Sequence, residues 1–148
     1  MHLPACHNIM RAPGHADACD QVTLAYDGRF FRRKVLTTAQ GARVLVDLEH
    51  TTSLNHGDAL ELEDGRLIEV RAAKEDLMQV TGNLTRLAWH IGNRHMPCQV
   101  EADRLLIQRD HVIRDMLQRL GATLRDVSEP FTPEGGAYGH GRTHAHAH

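Results

Sequence analysis

Aromatic residues are scarce in this chain. Phe, Trp and Tyr together make up 4% of its 148 residues, so any core has to be packed from aliphatic side chains. Cysteine is scarcer still and odd in number, with Cys6, Cys19 and Cys98 alone. That count argues against a disulfide framework and fits a reducing compartment. No apolar run nears the ~20 residues needed to cross a bilayer. Residues 1–20 lack the basic, apolar, small-residue order of a secretion signal, so the expected location is the cytoplasm. The formal net charge is −2 with histidine neutral, which implies no general attraction to nucleic acid or to an anionic membrane. Enzyme motifs are absent as well. The chain has no Gly-rich phosphate loop, GxSxG elbow, HExxH or CxxC pair, and no enzyme is expected.

What the chain does have is histidine. Four of its twelve histidines, His140, His144, His146 and His148, fall in the last nine residues, HGRTHAHAH. The preceding stretch (Glu134, Gly135, Gly136, Gly139, Gly141) offers almost nothing to bury, so the sequence predicts a flexible arm. Neutral imidazole is a good ligand for nickel, copper, zinc and cobalt. A loose arm dense in imidazole suits the capture and transfer of metal better than chemistry on a substrate, which needs rigid positioning. A terminal histidine string can also be an appended purification tag. Tags are usually unbroken runs, whereas this one alternates with alanine and contains Arg142 and Thr143, which favours a native metal-binding tail. Ligand type alone does not select the metal. By the Irving–Williams order, Cu(II) would outcompete Ni(II), Zn(II) or Co(II) in vitro.

The hydrophobic pattern divides the chain. Residues 1–73 read as all β. Val22, Leu24 and Tyr26 alternate with smaller or polar residues, residues 34–38 and 43–48 are β-rich runs, and turns fall at Asp27-Gly28 and Asp64-Gly65. A three-residue loop of Glu63, Asp64 and left-handed Gly65 would put Leu60, Leu62, Ile68 and Val70 on one face. Residues 74–129 change character. A strand at 77–80 precedes a helix begun by Asn83, with Leu84, Leu87, Ala88 and Ile91 on one side. A hairpin over 98–108 follows. A second helix is then capped by Asp110, carries Ile113, Met116, Leu117 and Leu120 on one face, and is ended by Gly121. A last strand covers 123–127. This βαββαβ order is the ferredoxin-like split βαβ pattern. Residues 130–148 read as an unstructured Gly/Pro- and His-rich tail.

A second dense site is WHIGNRHMPCQ at 89–99, with His90, His95, Arg94 and Cys98. His90 and His95 are five residues apart, about 140° around a helix, so they would not chelate one ion as an i, i+4 pair does. His95 continues the apolar stripe of Leu84, Ala88 and Ile91. That position would let one imidazole from each of two subunits meet at a two-fold axis. A hydrogen-bonded histidine at a helix end is the plainer alternative. His111 opens the second helix, where the positive end of the helix dipole favours a neutral, ligating ring. An exposed first-turn residue is an equal alternative. His50 and His56 lie near turns and read as exposed and structural. Cys6 and His7 make no recognisable metal spacing. Cys98 beside His95 resembles a Cys–His nucleophile pair, but no third orienting group is evident.

Three segments taken together, WHIGNRHMPCQV at 89–100, RDHVIRDMLQRLGA at 109–122 and PFTPEGGAYGHG at 130–141, resemble the UreE-type urease accessory proteins, the nickel metallochaperones of urease maturation. The likeness covers the C-terminal half. The first half matches only in length and β-rich character. The resemblance implies an all-β N-terminal domain of the peptide-binding type, a ferredoxin-like metal-binding domain, and a homodimer with nickel at its interface. It also implies delivery of nickel to the urease apoprotein together with other accessory proteins, including a GTPase. In that family the histidine of GNRH, here His95, is the interface ligand. The DHV histidine, here His111, is a secondary site in some members. Arg109 stands where some relatives have another histidine, which weakens that side site. The tail histidines His140, His144, His146 and His148 fit a capturing role.

Two other classes compete with delivery. One is a buffer or storage protein whose tail does all the binding, and the other is an enzyme using His95 and Cys98. Imidazole ligation carries its own pH dependence, because protons compete with the metal. Affinity for Ni(II) is expected to fall steadily below about pH 6.5, the ordinary imidazole pKa. Calorimetric titrations at pH 6 and pH 8 test this, and equal affinities at the two would exclude histidine ligands.

Overall fold

The computed structural model describes residues 3–12 and 17–135. The chain divides into two compact units, Met1–Ala73 and Lys74–His148. The first unit consists of strands β1 (Ala5–Met10), β2 (Asp20–Leu24), β3 (Phe30–Thr37), β4 (Arg43–Ser53), β5 (Ala59–Leu62) and β6 (Leu67–Ala72), with one 3-10 turn at Asp27–Arg29. The strands form a single sheet in the order β2-β6-β5-β1-β4-β3. The sheet curls on itself. The Ala39 amide donates to the Gln21 carbonyl at 2.8 Å and the Gln40 side-chain amide donates to the Cys19 carbonyl at 2.9 Å, which ties the end of β3 to the β2 edge. Val22, Val44, Val46, Leu60, Leu62, Ile68 and Val70 are buried together inside the curl. Their alternation along each strand puts one face in the core and the other in water.

The β5–β6 hairpin has the register expected of a three-residue loop. Leu60 pairs with Ile68, Glu61 pairs with Leu67, and Gly65 lies at φ +89°. Strand β1 was not expected. It lies in mid-sheet, parallel to β4 and antiparallel to β5. Its sequence, ACHNIM, lacks clean alternation because its pairing with β5 shifts register between Cys6 and Asn8. Its neighbours impose the strand, and Cys6 is fully buried in the aliphatic core.

The second unit runs β7 (Lys74–Thr81), α1 (Leu84–Asn93), β8 (Gln99–Val100), β9 (Leu105–Gln108), α2 (His111–Arg119) and β10 (Thr123–Pro130). Its four strands are ordered β10-β7-β9-β8, and every neighbouring pair is antiparallel. Asn83 caps α1 through its side-chain oxygen, which accepts from the Arg86 amide. Asp110 caps α2 by accepting from the Val112 and Ile113 amides at 2.9 and 3.0 Å. These bonds satisfy amides that have no partner within the helix. Leu87, Ile91, Ile113 and Leu117 pack with Met78, Val80, Leu105 and Ile107 of the sheet into one core.

The expectation of loose chain from Pro130 onward does not hold for residues 130–135. Pro130 still pairs with Lys74 at the β10 edge, and Phe131 is fully buried. The Thr132 amide donates to the Gln99 side-chain oxygen at 2.8 Å, and the Glu134 amide donates to the Cys98 carbonyl at 2.8 Å. Proline and glycine mark the absence of regular repeat, not the absence of partners. Here the partners belong to the far edge of the sheet, which local reading does not see.

Gly65 gives a test of the hairpin. Its φ of +89° disfavours any residue with a Cβ, so Gly65→Ala is expected to destabilise the protein by about 1–2 kcal/mol. Urea denaturation should show a lower midpoint at unchanged slope, and an unchanged midpoint would refute the left-handed turn.

Candidate metal centre

Helix α1 stops because its last turn closes on itself. The His95 amide donates to the Gly92 carbonyl at 2.9 Å and the Met96 amide to the Ile91 carbonyl at 3.4 Å. This pair of bonds is the Schellman closure, which requires a left-handed residue just past the helix end. His95 supplies it at φ +58°, the only non-glycine residue with positive φ among the described residues. Helix α2 ends by the same device. There the Gly121 amide donates to the Gln118 carbonyl and the Ala122 amide to the Leu117 carbonyl, with Gly121 at φ +84°. Glycine adopts this conformation freely, and a side chain pays about 1 kcal/mol for it. One unit thus holds two equivalent closures, one with the residue that fits best and one with an imidazole in its place. His95 therefore does not continue the apolar stripe of α1, as a straight helical extrapolation places it. It lies beyond the helix end, half-buried.

The ring nitrogens sort the described histidines. His7 is fully engaged. Its Nδ1 lies 2.9 Å from the Asp47 carbonyl and its Nε2 lies 2.9 Å from Glu63 Oε1. The Asp47 carbonyl first, and then the Glu63 carboxylate, hold its pKa above the ordinary imidazole value. A ring facing acceptors on both sides is a poor metal donor. His56 uses Nδ1 to accept from the Ala72 amide at 3.0 Å. His50 lies 3.8 Å from Glu49. His90 packs edge-on to Trp89, with ring centroids 5.0 Å apart. The imidazoles of His90, His95 and His111 have no hydrogen-bond partner among the described residues, so their ring nitrogens remain available. His111 is exposed in the first turn of α2. His140, His144, His146 and His148 lie outside the described residues. Among the described residues no three His, Cys, Asp or Glu side chains converge on one point.

Two neighbours take other parts. Cys98 packs against the core of the second unit, and burial, followed by the charge of Glu134, pushes its thiol up to about 11. It is a protonated filler at neutral pH, and the nucleophile needed for Cys–His chemistry is missing. Arg109 spans strands. Its Nε donates to the Leu77 carbonyl at 3.1 Å and a terminal nitrogen donates to the Val127 carbonyl at 3.2 Å. A guanidinium there ties β7 to β10 and supplies no metal ligand beside His111.

The family profile described as "UreE urease accessory protein, C-terminal domain" matches residues 66–148, which include all of this site, and the N-terminal domain profile matches residues 2–73. The chain belongs to the UreE urease accessory protein family. It is 70% identical over 149 residues to the urease accessory protein UreE of Ruegeria pomeroyi, covering 100% of both chains. Identity to UreE of Cereibacter sphaeroides is 62% over 149 residues, covering 99% of this chain and 81% of that one. Identity to UreE of Rhodobacter capsulatus is 56% over 140 residues, covering 95% and 90%. UreE proteins are accessory chaperones, not enzymes, in keeping with a protonated Cys98.

Sequence reasoning missed the exposure of Trp89, 64% accessible on α1 and one helical turn before the closure. It also missed that Gln99, Thr132 and Glu134, which lie within two of the quoted segments, take part in hydrogen bonds that join those segments. The left-handed turn sets up a direct comparison. His95→Gly is expected to be about 1 kcal/mol more stable than His95→Ala, since both lack the imidazole and only alanine retains a Cβ in the strained conformation. Paired thermal or urea denaturation measures the difference, and equal stabilities would contradict the closure.

Proposed function

We propose that the chain is a metallochaperone that binds Ni(II) between two copies of itself and delivers it for assembly of the urease metallocentre. The observation that carries this reading is the left-handed imidazole of His95. Backbone strain retained where glycine would relieve it marks a side chain kept for its chemistry. His95 from each copy would supply two ligands on a two-fold axis, a doubling that symmetry provides from one residue. Membership of the urease accessory family supports urease as the destination. The partners are the urease apoprotein and the other accessory proteins, including a GTPase.

The surface near His95 supports self-association. Trp89 and Val112 are 64% and 50% exposed, and a shallow groove lined by His90, Arg94, Val112, Asp115, Met116, Arg119 and Leu120 runs between the helices, an apolar floor with a charged rim that a second copy would cover. The βαββαβ order and the strand sequence β10-β7-β9-β8 support reading residues 74–129 as a ferredoxin-like domain, with residues 1–73 as the all-β domain. Ni(II) commonly takes six-coordinate or square arrangements, so two imidazoles leave positions for water or for His140, His144, His146 and His148. His111 is exposed and serves as a weak side site. The ligand set admits Cu(II), Zn(II) and Co(II) in vitro as well. Few rigid ligands and open positions favour exchange, which a donor of metal requires. The expected setting of this work is the cytoplasm, where three free cysteines are at home.

Native mass spectrometry with added nickel tests the reading. A full-length variant with the four tail histidines replaced by alanine is expected to retain half an ion per chain, carried by a dimer. His95→Ala is expected to lose that ion and to fail in urease activation, while its tail still binds nickel weakly. Full urease activation by His95→Ala would refute delivery through this residue.

A further inference from the structure

Strand β1 holds the middle of the first unit's sheet with little ladder on one side. Its parallel pairing with β4 comprises Ala5 with Leu45 and Cys6 with Val46. Its antiparallel pairing with β5 is interrupted. Cys6 pairs with Leu62 and Asn8 with Glu61, which leaves His7 as the extra residue of a bulge. A bulge re-aims a side chain, and here His7 is exposed while Cys6 is buried in the core. The ring of His7 adds the contacts that the ladder lacks. Its Nδ1 lies 2.9 Å from the Asp47 carbonyl, one residue beyond the last pair between β1 and β4. Its Nε2 lies 2.9 Å from Oε1 of Glu63, the residue that follows β5. One side chain thus joins β4 to the end of β5 across the strand between them.

A single protonation state of the ring makes both bonds. Neutral imidazole has one N–H, and its other nitrogen carries a lone pair. Set between a carbonyl oxygen and a carboxylate oxygen, it bonds one and repels the other. Imidazolium donates to both. The charged groups around it, among the described residues, favour the cation. Strand β4 brings Asp47 and, farther along, Glu49 and His50, which lie 3.8 Å from each other. Strand β5 and its turn bring Glu61, Glu63 and Asp64. Glu61 and Glu63 line one shallow depression with His7, and Glu61 Oε1 accepts from Asn8 Nδ2 at 2.9 Å. The nearby cations are already engaged, Arg32 of β3 with Asp47 at 3.3 Å and Arg66 with Asp64 at 2.7 Å.

We propose that His7 is a proton-operated clip of the N-terminal unit, closed between β4 and β5 when its ring is charged and open toward Glu63 when its ring is neutral. On loss of the proton the remaining N–H stays with the Asp47 carbonyl, and the half-exposed Glu63 carboxylate turns to water. The Asp47 carbonyl, followed by the Glu63 carboxylate, holds the folded-state pKa above the unfolded value of about 6.5. The clip is therefore fully closed below that value and opens as pH rises through the folded-state pKa. The two side chains are 55% and 56% exposed, so the pair adds little to global stability, and its effect is local. The clip does not depend on the metallochaperone reading. Taken with that reading, it means that the two units respond to acid in opposite senses, since imidazole binds metal less well as protons compete.

The test is an NMR titration of the metal-free, full-length protein, with the urea-unfolded chain as reference. The His7 ring is expected to titrate above its unfolded-state midpoint, and Glu63→Gln is expected to move that midpoint down, because a neutral amide no longer favours the charged ring. A midpoint at or below the reference would overturn the inference, and so would a raised midpoint that Glu63→Gln leaves unchanged. Amide exchange reads the strand itself. The Glu63 amide donates to the Ala5 carbonyl at 2.9 Å, so its protection factor reports the contact between β1 and the end of β5. That protection is expected to fall as pH rises through the His7 midpoint in the wild type, and to stay level in His7→Gln, which has no proton to lose in this range. Identical profiles in the two proteins would make His7 a passive surface residue and overturn the clip.

Discussion

The second unit turns on how helix α1 is brought to a halt. Its final carbonyls need donors, and the chain supplies them by bending left at His95, so that the amides of His95 and Met96 return to Gly92 and Ile91. This closure settles three things. It directs the chain into Met96 and Cys98, which pack on the core, and then into β8. It takes His95 off the buried side of the helix. It also fixes the imidazole on a stiff backbone, within a unit whose core is packed from both helices and the sheet. The twin closure at Gly121 uses the residue type that adopts this conformation without strain.

Residues 131–134 are held by a separate set of contacts. A four-stranded antiparallel sheet whose first and last strands are neighbours releases its chain at the β10 edge. Phe131, Thr132 and Glu134 carry the chain across, held by burial at one point and by hydrogen bonds at two others. Each bond contributes only about 1 kcal/mol net.

Much of this organisation is legible without coordinates. The change near residue 73 shows as an all-β pattern giving way to alternating strands and helices, and the β5–β6 register follows from keeping Leu60, Leu62, Ile68 and Val70 on one face with Gly65 in the turn. The starts of both helices and the end of α2 are marked by Asn83, Asp110 and Gly121. Strand β1 is not legible, because a register shift within its pairing disrupts the alternation and its neighbours supply the order. The anchoring of residues 130–135 is equally hidden, since Gln99 is more than thirty residues away in sequence. The placement of His95 on the α1 stripe misled for a related reason. Helical periodicity holds only while φ stays negative, and a histidine in a left-handed turn is uncommon enough that no local pattern announces it.

By itself the sequence determined which side chains are able to hold metal, where the two units divide, and where each helix starts, because these depend on residue type and on short-range repeat. Which imidazoles are free to act was decided by tertiary structure. His7 and His56 are committed to acceptors and donors brought from distant strands, whereas His95 and His111 keep unpartnered ring nitrogens among the described residues. That Arg109 serves as a cross-strand tie, that Cys98 stays protonated and that Thr132 and Glu134 are anchored to Gln99 and Cys98 were likewise settled only by folding. The physical reason is the same in each case. Hydrogen-bond partners, burial and exit points are properties of neighbours in space, and the chain brings those neighbours together from across its length.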